Sequence, residues 1–412
     1  MERQGHEGEA PRLSIDPRDP AFFEDPYAAY AAIHDRHASF VWAEYGIRCF
    51  AAHADVSALL RDRRLARPGP PPGQAEAWPN LAAAERHSLL EIEPPEHTLL
   101  RRLVNRAFVS RAIDALAPGI ERRAHELVDA IEREGPGADL LPLYATPIPV
   151  ETIARLLGVP VEDASRLLDW SHRMVAIYQF DPTDGTRRDA DRAAAEFIAY
   201  LRDHIERRRR EPRDDLLGRM CEAAEGDDTL SDAQIVSTAI LLLNAGHEAT
   251  VHQIGNAVAT ILLAERDGLA RAAWLESDDT VARTVEEAMR HDPPLHLFTR
   301  VAREGIEWTS ADGATARIAQ GEEIGLLLGA AGRDPRRFAD PGRFDPARES
   351  LDHVAFGGGI HFCIGAPLAR LEMRIALRVL FRRLPTLRVV GTPKRADAFH
   401  FHGYEALPVA WN

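Results

Sequence analysis

The stretch Phe356-Gly357-Gly358-Gly359-Ile360-His361-Phe362-Cys363-Ile364-Gly365 places three glycines before a lone cysteine. Glycine admits positive φ and lets another group approach the backbone closely. Gly365-Ala366-Pro367 reads as a helix entrance, since proline is tolerated in the first turn. The sulfur of Cys363 therefore lies near the free N–H groups and positive end of a helix, which favour thiolate over thiol. A thiolate there is a candidate nucleophile or metal ligand. The competing reading is a buried small apolar residue, the usual fate of a free cysteine. The other two cysteines, Cys49 and Cys221, are distant in sequence, which argues against a four-cysteine zinc or iron–sulfur site. A haem iron needs only one protein ligand, and an axial thiolate is one option.

Three further constellations have helical spacing. Glu287 and Arg290 are three apart and share a face, so they can pair. Alone, such a pair reads as a surface ion pair of small value. His97 and Arg101 are four apart and project together, which by itself fits a solvated face. The run Leu243-Asn244-Ala245-Gly246-His247-Glu248-Ala249-Thr250-Val251-His252 contains a His-Glu pair and a later histidine. A zinc-protease motif needs histidines at i and i+4. Here they are five apart, about 140° around the helix, so they do not clamp one metal from this helix alone. Asn244 shares a face with Glu248; it is either a bond to a neighbouring helix or a polar handle for a ligand. The remaining histidines show no metal-ligand grouping, and His400-Phe401-His402 reads as a loop that packs or touches substrate.

The elements that must position these residues are mostly helices, rich in Ala, Leu, Arg and Glu. The spacing predicts helices over 95–107, 113–134, 187–209, 231–264, 280–291 and 366–383. The fourth starts at a Ser231-Asp232 cap, runs about 50 Å and carries few charges, so it should cross the core. Strand signals cluster at 40–42 and 47–50, a hairpin, and at 305–328, read as strand–turn–strand–turn–strand. Pro68 to Gly73 reads as a loop within one domain. The 412 residues are 45% hydrophobic and 28% charged, a globular profile with length for a large core. Fifty basic against 64 acidic residues give −14, which excludes broad nucleic-acid binding; Lys394 is the single lysine. Three cysteines, no signal-peptide pattern at the start and no membrane-length apolar run lead to the expectation of a cytoplasmic protein without a membrane span. Residues 1–15 are expected to be a disordered tail, and 16–412 a single domain.

Phe356-x-x-Gly359-x-x-x-Cys363-x-Gly365 resembles the cysteine-loop signature of the cytochrome P450 family, and the family's other motifs follow in order. Glu287-Ala288-Met289-Arg290 resembles its ExxR motif, which supports the cysteine loop from behind. Arg333 to Phe338 and Pro341 to Phe344 resemble the stretch before that loop, with Gly332 where many members have Asn. The run Ala245-Gly246-His247-Glu248 resembles the distal helix motif. The resemblance covers roughly 25–411. It implies a mainly α, single-domain cytochrome P450 fold with a small β region, and haem b between the long distal helix and the proximal helix after Cys363. Cys363 is then the iron ligand, with Phe356 and Gly365 shaping its loop. His97, Arg101, Arg300 and His361 are implied partners of the haem propionates, for which cationic hydrogen-bonding groups are well suited. Ala245 and Gly246 leave room for dioxygen and substrate, and Glu248 is the acid. One departure stands out: Ala249 replaces the family's usual threonine, and the hydroxyl of Thr250 lies about 100° away on the helix.

The resemblance further implies a haem-thiolate monooxygenase that inserts one atom of O2 into a small, mostly hydrophobic substrate. The chain has no flavin or iron–sulfur module, so electrons from NAD(P)H should arrive through a ferredoxin and its reductase. Arg102, Arg106, Arg374 and Arg378 are a candidate basic docking face. A peroxide-driven peroxygenase and, more remotely, a haem-binding sensor are the alternatives; Glu248 disfavours the first. Leu241, Asn244, Ala245, Leu297, Phe298 and Phe401 are the candidate substrate contacts, with 78–90 and 174–180 as further walls.

Overall fold

In a computed structural model of the chain, residues 10–70, 73–106, 108, 110–225, 230–264 and 269–412 are described. The chain divides into two compact units. The first comprises Met1–Pro68, Gly255–Cys363 and Thr392–Ala406; the second comprises Gly69–Ile254, Ile364–Gly391 and Leu407–Asn412.

The first unit is built on a six-stranded sheet. Its order is Arg12–Leu13, Ser39–Trp42, Ile47–Phe50, Glu323–Leu327, Leu297–Ala302 and Leu65–Ala66. Ser39–Trp42 alternates half-buried and buried residues, so Phe40 and Trp42 face one core. The expected hairpin forms, with Gly46 at φ +69° in its turn. The 305–328 expectation is met by three strands, though only Ile306–Thr309 and Thr315–Ile318 pair as a hairpin. The third, Glu323–Leu327, joins the large sheet between Ile47–Phe50 and Leu297–Ala302. Part of the tail expected to be disordered is a strand: Arg12 and Leu13 pair with Val41 and Trp42, and the Trp42 indole donates to the Ile15 carbonyl at 2.7 Å. Backbone pairing and a buried aromatic hold this segment despite its terminal position.

The Glu287–Arg290 pair in the helix Asp278–His291 is fully buried, unlike the surface pair that spacing alone suggests. Every guanidinium N–H is used. Nε and Nη2 donate to the two Glu287 oxygens at 2.7 and 2.8 Å. Nη1 donates to the carbonyls of Gly332 and Pro341, and Nη2 also to that of Arg343. Glu287 in turn accepts from the backbone N–H of Asp345 at 2.7 Å. Gly332, where the family often has Asn, has no room for a side chain: a Cβ there would meet the Arg290 carbonyl at 2.4 Å. A second buried charge, Asp292, is answered by Arg395 at 2.8 Å and the Tyr27 hydroxyl at 2.6 Å.

In the second unit the chain follows the predicted helices with small shifts. The segment expected over 113–134 breaks into Ser110–Asp114 and Ala117–Glu134, with Pro118 in the first turn of the latter, where its missing N–H costs nothing. The segments expected over 95–107 and 187–209 are Glu96–Asn105 and Asp184–Arg210, and Ala107 lies outside the described residues. The long helix runs Asp232–Ala264 and passes into the first unit at Gly255. Its cap is reciprocal: the Ser231 hydroxyl accepts from the Gln234 N–H, and the Gln234 side chain accepts from the Ser231 N–H at 2.9 Å. The helix after Cys363 spans Ala366–Arg383, as predicted.

Two predictions follow from buried charge. Arg290→Ala removes both short bonds to the buried Glu287, leaving it Arg348 at 3.4 Å and the Asp345 N–H, and takes a donor from the Gly332 and Pro341 carbonyls, so it should cost about 3–5 kcal/mol in chemical unfolding. Arg290→Lys should recover little, because an ammonium does not reproduce the fork; an unchanged unfolding midpoint in either variant contradicts the account. The second concerns Glu372 on Ala366–Arg383, which is 1% exposed with no partner for either carboxylate oxygen. Burial pushes its carboxyl up to about 8; a nearby Thr152 hydroxyl, committed at 2.7 Å to the Ile148 carbonyl, opposes this only in part. The folded state thus holds the proton more tightly than the unfolded one. That stabilisation is complete below about 4.5 and is lost as pH rises towards 8. Glu372→Gln should therefore gain stability over the native chain by on the order of 1 kcal/mol per pH unit across that window. Parallel pH dependences of the two melting temperatures would refute it.

Candidate active site

In the first unit, the loop that ends at Cys363 closes on itself. The Cys363 N–H donates to the Phe356 carbonyl at 3.0 Å and the Gly357 N–H to that of Val354 at 2.8 Å. Gly357 and Gly359 take φ of +72° and +66°, so both need glycine. The close approaches they permit include their own chain. A Cβ on Gly359 would lie 2.6 Å from the Leu60 carbonyl oxygen, and one on Gly357 would lie 3.1 Å from the Phe298 ring. Cys49 and Cys221 are buried and burial pushes both thiols up, whereas Cys363 is exposed. Its neighbours Ile360 and Phe362 are among the few exposed large apolar side chains, 44% and 39%. An accessible sulfur flanked by uncovered apolar groups fits a flat apolar ligand such as a porphyrin. His361 is half-buried in the turn Gly359–His361, and Phe356 is buried with its ring 6.2 Å from that of Phe362. Arg300 is buried on Leu297–Ala302, one Nη donating to the Thr299 carbonyl at 2.8 Å.

In the second unit, Gly365 is the N-cap of Ala366–Arg383 and Pro367 lies in its first turn. Cys363 thus precedes the positive end of an 18-residue helix. His97 is buried on Glu96–Asn105, with Arg101 half-buried one turn later. Both are basic groups of the kind a buried carboxylate requires.

The long helix carries an open stripe. From 235 to 261 its described residues are buried except Leu241, Asn244, Ala245, Gly246, Ala249, Val251 and His252. Ala245 is exposed, and Leu241, Ala245 and Ala249 recur every fourth residue, so one face borders space. Ala245 thus leaves that face low. Gly246 instead serves packing, since a Cβ there would meet Ile153 at 2.8 Å. Thr250 is buried off the stripe, so its hydroxyl does not replace the one missing at Ala249. Asn244 donates from Nδ2 to the Met174 sulfur at 3.8 Å, while its Oδ1 is buried without a partner.

Glu248 is buried within a collar of histidines. Its Oε1 lies 3.4 Å from His172 Nε2 and 3.5 Å from His247 Nε2, and its Oε2 lies 3.9 Å from His252 Nε2. The Ser171 hydroxyl donates to it at 3.4 Å. Burial pushes the carboxyl up, but His247, His172 and His252 together hold it below the usual carboxylate range. The expectation that histidines form no metal-ligand grouping is therefore corrected. His172, His247 and Glu248 gather their ligand atoms within 4.8 Å, as do Asp292, His296 and His402. Ser171 and His172 escaped the sequence reading because they lie on a distant helix, Ala164–Val175, whose only hint is a serine on its buried face.

The other expected contacts scatter. Leu297 is corrected: it belongs to the apolar core with Phe22, Tyr30 and Trp42. Phe298 and Phe401 are half-buried, and Phe401 bridges to Leu295. Of the candidate docking arginines, Arg102 and Arg106 are exposed, Arg374 is half-buried, and Arg378 lies 3.5 Å from Glu121. No helix among the described residues is long and apolar enough to cross a membrane.

Known proteins resemble this chain over most of its length. A family model described as Cytochrome P450 matches residues 80–387. The mycinamicin IV hydroxylase/epoxidase of Micromonospora griseorubida is 37% identical over 364 residues, 87% of this chain and 88% of that protein. The vitamin D(3) 25-hydroxylase of Pseudonocardia autotrophica is 35% identical over 373 residues, 89% and 88% of the two chains. The crystal structure of P450BioI in complex with hexadec-9Z-enoic acid ligated acyl carrier protein matches with a TM-score of 0.88 at 30% identity. That match covers 95% of this chain and 100% of the other.

Proposed function

The chain belongs to the cytochrome P450 family, and on that premise we propose that it oxygenates a small, mostly apolar organic molecule using electrons from a ferredoxin and its reductase. The family model spans residues 80–387, which fall in both compact units, and this supports one P450 domain from residue 16 onward. The observation that carries the reading is Cys363, the accessible sulfur among three cysteines, held by a backbone bond just before a helix N-terminus.

Family membership implies haem and dioxygen. When bound, the haem supplies reductive activation of dioxygen, with one oxygen atom entering the substrate and the other leaving as water. The residues present fit such a group. Cys363 would hold the iron as a thiolate, a form favoured just before the N-terminus of Ala366–Arg383. The family resemblance assigns the propionates to Arg300 and His361 of the first unit and to His97 and Arg101 of the second, which would supply their cationic partners. Ala245 and Ala249 keep one face of the long helix low, which leaves room for dioxygen and the substrate.

Glu248 holds and moves a proton. Its histidine collar keeps it ionised near neutral pH, ready to accept a proton at Oε1. With Ala249 in place of threonine, the path from Glu248 to the oxygen runs through water and a polar group of the substrate. Leu241, Ala245, Phe298 and Phe401 supply apolar surface, and the open Oδ1 of Asn244 accepts a hydrogen bond from a substrate donor. The named relatives are a mycinamicin IV hydroxylase/epoxidase and a vitamin D(3) 25-hydroxylase, which supports oxygenation of an organic molecule here. Arg102 and Arg106 offer a basic surface to an acidic ferredoxin. The cysteine usage suits a reducing, cytoplasmic setting.

Two measurements test this reading. The reduced protein under carbon monoxide should show the difference band of thiolate-ligated haem, and Cys363→His should abolish that band while retaining haem; its persistence in the variant would refute the assignment. Glu248→Gln should lower product formed per NAD(P)H consumed by roughly ten-fold or more, whereas an unchanged coupling ratio removes Glu248 from the relay.

A further inference from the structure

We propose that His172, His247 and Glu248 form a binding site for a divalent transition metal, with zinc the fitting ion, that ties Ala164–Val175 to the long helix. The tautomer of His247 is fixed by the residue one turn before it. His247 Nδ1 lies 2.6 Å from the Leu243 carbonyl oxygen, which only accepts, so Nδ1 carries the proton. The neutral ring then presents a bare lone pair at Nε2. That atom is buried and has no hydrogen-bond partner. It faces the Glu248 carboxylate at 3.5 Å. Two lone pairs aimed at one another in a buried place need a cation between them, either a proton or a metal.

The third donor favours the metal. His172 Nε2 is 3.4 Å from the same carboxylate oxygen, and the three ligand atoms all lie within 4.8 Å of one another. Zinc bonds of 2.0–2.1 Å place tetrahedral ligands roughly 3.3 Å apart, close to the two separations found. The carbonyl on His247 Nδ1 is the outer partner that metal-bound histidines usually have. Two imidazoles and one carboxylate suit zinc and its neighbours, and not calcium or magnesium, which want oxygen ligands. Access exists because His172 is 58% exposed, and its free rotation absorbs the remaining misfit. Water or His252, 3.9 Å from the other carboxylate oxygen, can fill the fourth position. The second histidine grouping lacks this character, since the Asp292 charge is already met by Arg395 and Tyr27. The spacing of His247 and His252 excludes a protease-type clamp from one helix; a donor from a second helix removes that limit.

The site shares Glu248 with the proton relay, and zinc on Oε1 would displace the relay's proton there, so metal occupancy and relay function are alternative states of one carboxylate; occupancy is read by binding alone, so the two readings fail separately. The test is equilibrium dialysis of the haem-loaded protein against micromolar free zinc, with bound metal measured by elemental analysis. The native chain should retain one zinc that a chelator removes. His172→Ala, a change at an exposed side chain, should weaken that binding at least about ten-fold. His125→Ala, an exposed histidine elsewhere, should leave it unchanged. No retained zinc in the native protein, or equal affinity in His172→Ala, overturns the proposal.

Discussion

A guanidinium taken wholly out of water must have each of its five N–H groups answered, and Arg290 meets that demand with one carboxylate and three carbonyls. The three carbonyls belong to Gly332, Pro341 and Arg343, in chain with almost no regular structure. Such chain has few ladder bonds of its own, so a buried fork is what gives it a single course. The same stretch leads into the loop that ends at Cys363. The course of the chain towards the reactive sulfur is thus held in part by a pair some seventy residues earlier in sequence, and Gly332 both accepts from that pair and lies too close to the Arg290 carbonyl to carry a side chain.

The second constraint is the surface of the long helix. A helix buried on all sides would pack closely everywhere. Here Ala245 and Ala249 leave one stripe low, while Gly246 lets Ile153 press against the adjacent face. Smallness therefore has two uses one residue apart. At 245 it leaves space, and at 246 it draws another helix close. The missing hydroxyl at 249 belongs to the first use: on the open stripe this chain has a methyl group.

Much of this was legible in the sequence because it is local. Helix periodicity, the Ser231 cap, the Pro367 entrance and the ExxR spacing are set within a few residues, and the structure follows them closely. The pairing of Arg12–Leu13 was hidden, since two residues next to a polar tail carry no periodic signal and gain their order from Ser39–Trp42. Leu297 was misread as a site wall because an apolar residue looks alike in a core and in a pocket; only its partners across the sheet tell them apart. The glycines before Cys363 were legible as necessary but not in full purpose: two of them need positive φ, and they also clear Leu60 and Phe298.

The environment of Glu248 was the least legible feature, and the reason is geometrical. Residues 247 and 248 are about 100° apart on a helix, and 252 completes no metal triad with them by spacing. The grouping exists because Ala164–Val175 brings His172 and Ser171 to the same carboxylate. A buried carboxylate ordinarily resists ionisation, yet this one is held in its charged form by imidazoles on three sides. Each imidazole is either a proton donor to the carboxylate or a lone pair that repels it, and Leu243 commits His247 to the second state whenever its ring is neutral. The carboxylate is therefore comfortable only while some cation, proton or metal, occupies the collar. That makes the protonation of the distal helix a property of two helices and four side chains, and not of the acid alone.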